Sequence, residues 1–119
     1  MAHRIDADSL LWNWARYCWS GATVGNMMPY LVDKVASEPV NMYQALVIDR
    51  MHRTLPHHEG MIITAEYPQR NVRFFDLQEH ERMQAARRWI AQITGVHLTD
   101  NEYRLYLGLF KNRIAGTLL

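Results

Sequence analysis

The sequence predicts an all-α fold, a single compact domain of about five helices with a C-terminal helix-turn-helix at about 78–115. Three observations predict it. Apolar residues recur at spacings of three and four, which line one side of a helix, and no run alternates strongly enough to compete as a strand. Residues that start and stop helices divide these runs, with no internal repeats or low-complexity tracts between them. Finally, 119 residues are enough for one hydrophobic core but too few for two.

Asp6 or Asp8 caps a first helix that runs to about Trp19, where Ser20-Gly21 ends it. Leu10, Trp14 and Tyr17, with Leu11 and Cys18, form its buried side. Trp12, Trp14 and Trp19 cannot all face one core, so Trp12 and Trp19 are candidates for touching a partner, where tryptophan is enriched. Gly25, Asn26 and Pro29 break the pattern over 22–38, which reads as a loop with at most a short helical turn at Tyr30–Lys34.

Ser37-Glu38-Pro39 supplies a capping hydroxyl and a first-turn proline for a second helix ending near Thr54. Tyr43, Val47 and Met51 line one side, and Leu46 and Ile48 widen the apolar face enough to predict a central place in the core. Leu55-Pro56 then opens a third helix through Met61, Ile62 and Ala65, which Pro68 stops near Tyr67. A connector follows over 69–77, with Phe74 and Phe75 pinning it to the core and Asp76 launching the fourth helix.

The chain is organised around 82–119. Gly95 suits the left-handed residue that ends a helix, and Thr99-Asp100-Asn101-Glu102 has the capping-box form that starts another. Ala91 and Gly95, four apart, have the small-residue spacing that lets one helix cross closely over another in helix-turn-helix modules. Met83, Ala86, Ile90 and Ile93 on the fourth helix should pack on Tyr103, Leu107, Phe110 and Ile114 of a fifth helix over 99–115. The turn is about two residues longer than in the standard module.

Function follows from the charge pattern. With 49% hydrophobic and 21% charged residues and a net charge of +1, the chain reads as globular. It has no apolar run of ~20 residues to span a membrane and no signal-peptide pattern, so the expected location is cytoplasmic. The charge is uneven: Arg82, Arg87, Arg88, Arg104, Lys111 and Arg113 face only Asp100 and Glu102 within 82–113. That basic segment coincides with the turn and points to duplex DNA. The candidate contacts are Arg87, Arg88, Thr99, Asn101, Arg104, Lys111, Asn112 and Arg113. Asn101 and Arg104 lead the helix towards base edges, while Arg87, Arg88, Lys111 and Arg113 suit phosphates.

No catalytic residues, metal or cofactor are expected. His52, His57 and His58 lie close in sequence, but a structural zinc site takes four ligands in recognisable pairs and the single cysteine is distant. Glu59 and Glu66 read as solvated charge, and no phosphate loop or nucleophile motif is present. The competing reading is a small helical interaction protein or inhibitor that never touches DNA and holds a protein through its Trp and Met side chains.

Four stretches carry a resemblance: Trp12-Asn13-Trp14-Ala15-Arg16; Ala45-Leu46-Val47-Ile48-Asp49-Arg50-Met51 followed by Leu55-Pro56; Ala65-Glu66-Tyr67; and Tyr103 to Leu119. Their order resembles the shorter class of the phage late-gene antitermination protein Q family, whose DNA-binding part is similar to region 4 of sigma factors. The resemblance implies a protein of the bacterial host cytoplasm. It would bind a DNA element near a phage late promoter, engage RNA polymerase paused with its sigma factor, and make it resistant to terminators.

Overall fold

In a computed structural model the protein is all-α, and the residues described are 6–20, 40–67 and 77–119. Five helices follow one another in these segments: α1 (Ala7–Ser20), α2 (Met42–Arg53), α3 (His57–Glu66), α4 (Glu79–Thr94) and α5 (Asp100–Leu118). No strand occurs among the described residues. The expectations for the 22–38 loop, the Ser37-Glu38-Pro39 start, the 69–76 connector with Phe74 and Phe75, and the Asp76 cap lie outside the described residues, as does the Trp19 side chain.

Asp6 caps α1 by accepting the Ser9 amide at 2.9 Å. Leu10, Leu11, Trp14 and Ala15 are buried, so the helix turns its predicted side inward. The start of α2 differs from the expectation. Its N-cap is Asn41, whose side chain accepts the Gln44 amide at 3.0 Å, and the helix begins at Met42. The cause is tertiary: the buried Asn13 side chain clamps the Asn41 backbone, donating to its carbonyl at 2.9 Å and accepting from its amide at 2.8 Å.

The central helix is α3, not α2. Gly60, Met61, Ile62, Ile63 and Ala65 are all buried, so α3 is enclosed on almost every side, as an all-round apolar helix must be. By contrast α2 packs chiefly on α1 and buries only Ala45 and Ile48 fully. Its predicted apolar side is corrected accordingly: Tyr43 is 72% exposed and Leu46 47% exposed, because among the described residues no helix covers that side of α2. Leu55 and Pro56 break the chain between α2 and α3 as expected, and Tyr67 closes α3 with its amide bonded to the Ile63 carbonyl at 2.9 Å.

Gly95 ends α4 in the left-handed conformation, φ 77°, with its amide on the Ala91 carbonyl. A Cβ there would meet nothing within 4 Å, so the residue serves the backbone turn and not a close helix crossing. Thr99 and Glu102 form the predicted capping box at the start of α5, which extends three residues beyond the expected end, to Leu118. Tyr103, Phe110 and Ile114 are buried and Leu107 is half-buried, but they are not enclosed between α4 and α5. The last helix lies mainly across α1 and α3 and touches α4 less, which leaves Ile93 58% exposed. Stretches of all five helices therefore share one core, including Trp14, Ile48, Ile62, Met83, Ile90 and Phe110.

Polar joints tie the helices together. Glu66 was expected to be solvated, yet its side chain is only 9% exposed. It accepts Arg82 Nε of α4 at 3.1 Å and Tyr103 Oη of α5 at 2.7 Å, joining three helices. Tyr67 Oη donates to Asp8 across to α1, and Lys111 Nζ stands 3.7 Å from the same carboxylate. No helix among the described residues is long and apolar enough to cross a membrane.

Candidate nucleic-acid interface

The candidate interface is built by the end of α4, the five residues Gly95–Thr99 and the leading turns of α5. Both junctions are rigidly made. The Thr94 hydroxyl donates to the Ile90 carbonyl at 2.8 Å and accepts the Val96 amide at 3.1 Å, closing α4. The Thr99 hydroxyl accepts the Glu102 amide at 3.1 Å, while the Glu102 carboxylate accepts the Thr99 amide at 2.9 Å. That last bond to the charged form lowers the Glu102 carboxyl below its ordinary range.

Arg87 holds the two junctions together. Its Nε donates to the Leu98 carbonyl at 2.6 Å, and its Nη1 reaches Gln84 and the Asp100 carboxylate, which also accepts from Gln84. The sequence gives Arg87 a phosphate; the structure gives it the turn. Asp100 and Glu102, the two acids at the leading end of α5, are both engaged internally, one by Arg87 and one by the cap. Beside the exposed but cap-bonded Glu102, the groups that face outward there are cationic or polar: Arg88, Gln92, His97, Asn101 and Arg104 are all exposed.

The other sequence-predicted residues divide by position along α5. Asn101, Leu105, Gly108 and Asn112 recur at spacings of three and four on the side opposite Tyr103, Phe110 and Ile114, and no charged residue lies on that stripe. Arg104 lies on its flank, lining a hollow with Glu79, His80 and Met83 of α4. Arg113 is exposed further along. Lys111 turns to α1, between Asp8 and the Tyr67 ring, 5.8 Å from the ring centroid. Thus Arg88 and Asn101 flank the turn, Arg104 stands one turn along α5 beside the start of α4, Asn112 and Arg113 lie about three to four helical turns beyond the turn, and Arg87 and Lys111 bind inward.

Sequence reasoning missed Gln84, Gln92 and His97. With Arg87, Arg88, Ala91 and Leu98 they line an open depression of about 390 Å³ beside the turn, in which no carboxylate takes part. The signal was present in the spacing, since Gln84, Arg88 and Gln92 recur every four residues along one side of α4.

The remaining candidates lie elsewhere. Trp12 is half-buried with its ring edge-on to Tyr67 at 5.3 Å, so it packs within the protein more than it presents itself. The three histidines part company: His52 stacks at 4.7 Å on Trp14 and its Nε2 lies 3.0 Å from the Gly60 carbonyl, His57 is exposed, and His58 meets Tyr106 edge-on at 5.8 Å. Among the described residues no group of three or more His, Cys, Asp or Glu side chains is placed to hold a metal ion.

Compared with models of protein families, with curated proteins and with solved structures, the chain matches none.

Proposed function

We propose that this protein is a DNA-binding transcription regulator that docks the leading end of α5 and the adjoining side of α4 on duplex DNA. The observation that carries the reading is the division of charge at the turn. Asp100 is paired with Arg87 and the Glu102 carboxylate is tied into the helix cap, so the groups left to meet a partner around the helix start are Arg88, Arg104, His97 and the amides of Gln92 and Asn101. A helix N-terminus adds the positive end of its dipole to such a surface, and DNA presents a line of phosphates. Asn101 is suited to adenine, Arg104 to guanine and Arg88 to the backbone. Gly108 lets a groove wall approach α5, and Leu105 offers an apolar contact for a thymine methyl.

The resemblance to phage late-gene antitermination protein Q supports a narrower form of the same reading. In it the protein binds a promoter-proximal element in the bacterial cytoplasm and acts on RNA polymerase with its sigma factor. The test is selection from random duplex DNA followed by sequencing of the bound pool, with and without polymerase holoenzyme. Enrichment of one motif is the expected result. A pool that stays random under both conditions would replace this reading with that of a protein-interaction module, which the exposed Leu105 and Leu109 of α5 favour.

A further inference from the structure

The outward side of α2 is a second surface, remote from the turn. Met42, Tyr43 and Leu46 are 52%, 72% and 47% exposed, and they occupy neighbouring positions on its first two turns. Single exposed apolar residues are ordinary, but three large ones side by side form a patch. One turn further along the same side come Arg50 and Arg53, both exposed. The only carboxylate of α2, Asp49, turns the other way, accepting Trp14 Nε1 at 3.2 Å as well as Arg53 Nε at 2.9 Å, and its side chain is 19% exposed. The surface is therefore apolar over one half and basic over the other.

We propose that this side of α2 docks an amphipathic helix from a partner protein, apolar over half of its contact side and acidic over the other half. Side chains that recur every three or four residues on a helix offer ridges to the grooves of a second helix, and no strand edge competes for a different kind of segment among the described residues. The charge selects an acidic partner: Arg53 shares the Asp49 carboxylate through Nε, and Arg50 together with the outer nitrogens of the 76% exposed Arg53 side chain is left to seat partner carboxylates. Because α2 packs chiefly on α1 and meets α5 at the inward-facing His52–Phe110 pair, far along α5 from its start, the occupant leaves the α4–α5 turn open, and both surfaces can be filled at once.

The experiment titrates two synthetic helical peptides into the isotopically labelled full chain, followed by amide chemical shifts. Both peptides carry leucines at spacings of three and four; one ends that side in three glutamates and the other in three lysines. The glutamate peptide should shift amides of Met42–Arg53 and bind about tenfold tighter than the lysine peptide, with the preference shrinking as salt rises. Leu46→Lys should weaken binding by about tenfold or more, as loss of a central anchor does. Arg50→Glu should turn the preference towards the lysine peptide. Both variants alter exposed positions, and circular dichroism checks that they fold. The proposal is overturned if the glutamate peptide does not bind, if shifts centre elsewhere, or if Leu46→Lys leaves affinity unchanged. It is overturned equally if the patch is covered already, shown by a dimer that Leu46→Lys dissociates or by cross-links between Leu46 and residues 21–39.

Discussion

Removal of the Glu66 carboxylate should be among the most damaging changes to a single polar group in this protein. Glu66 of α3 is the shared acceptor for Arg82 of α4 and Tyr103 of α5, at 2.9 Å from Arg82 Nη2 and 2.7 Å from Tyr103 Oη. In Glu66→Ala the Tyr103 hydroxyl, on a residue 1% exposed, loses its acceptor, and the Arg82 guanidinium, 23% exposed, loses its counter-ion. Breaking a fully buried pair costs about 3–5 kcal/mol, and an unsatisfied buried donor about 1–3 kcal/mol. Because water still reaches Arg82, we expect a total loss of about 2–4 kcal/mol, which lowers the melting temperature on the order of 10 °C. Urea denaturation of Glu66→Ala and Tyr103→Phe, singly and together, measures it. The double variant should be less destabilised than the sum of the singles, since the hydroxyl and carboxylate serve each other. A loss below about 0.5 kcal/mol in Glu66→Ala would mean that the carboxylate is hydrated, and would refute the three-helix joint.

Three further outcomes are expected. Phe110→Ala should destabilise by ~3–5 kcal/mol in the same assay, since the ring is 2% exposed and sits edge-on to His52; a loss below about 1 kcal/mol would put it at the surface. Burial lowers the His52 imidazole below 6.5, only partly opposed by its bond to the Gly60 carbonyl, so the folded protein favours the neutral ring. That stabilisation is fully present above the unfolded value of about 6.5 and is lost as pH falls below it; in urea titrations at pH 7.5 and 5.5, His52→Gln should show a smaller acid-side drop than the parent. Thr99→Ala removes the hydroxyl that accepts the Glu102 amide and should cost about 1 kcal/mol, seen as a lower denaturation midpoint with an unchanged slope.

The parts of the fold legible in the sequence are those decided within a few residues of chain. The Gly95 turn, the Thr99–Glu102 capping box and the breaks at Leu55-Pro56 and before Pro68 depend on local backbone chemistry, so residue type alone announces them. Partners distant in sequence are not announced. The N-cap at Asn41 is set by Asn13, 28 residues away, and the burial of Glu66 is set by Arg82 and Tyr103, 16 and 37 residues away.

Apolar spacing identifies a helix side but not whether another helix covers it. Tyr43, Leu46 and Ile93 accordingly read as core and stand exposed, whereas α3, whose apolar residues surround it, is the element the others enclose. At the interface the basic segment was legible as composition. Its division was not, because a count of arginines does not reveal that Arg87 binds Leu98 and Asp100 while Arg88, next to it, faces water.

That division is tested most directly by binding isotherms of single variants on the selected duplex and on a scrambled one, at several salt concentrations. Arg104→Ala should cost about 1–3 kcal/mol on the selected site and relax discrimination at one base pair. Arg88→Ala should weaken both duplexes alike and reduce the salt slope by about one unit, because one phosphate contact is lost. Unchanged affinity of both variants for both duplexes, with the fold intact by circular dichroism, would contradict the assignment of the α4–α5 turn as the DNA-reading surface.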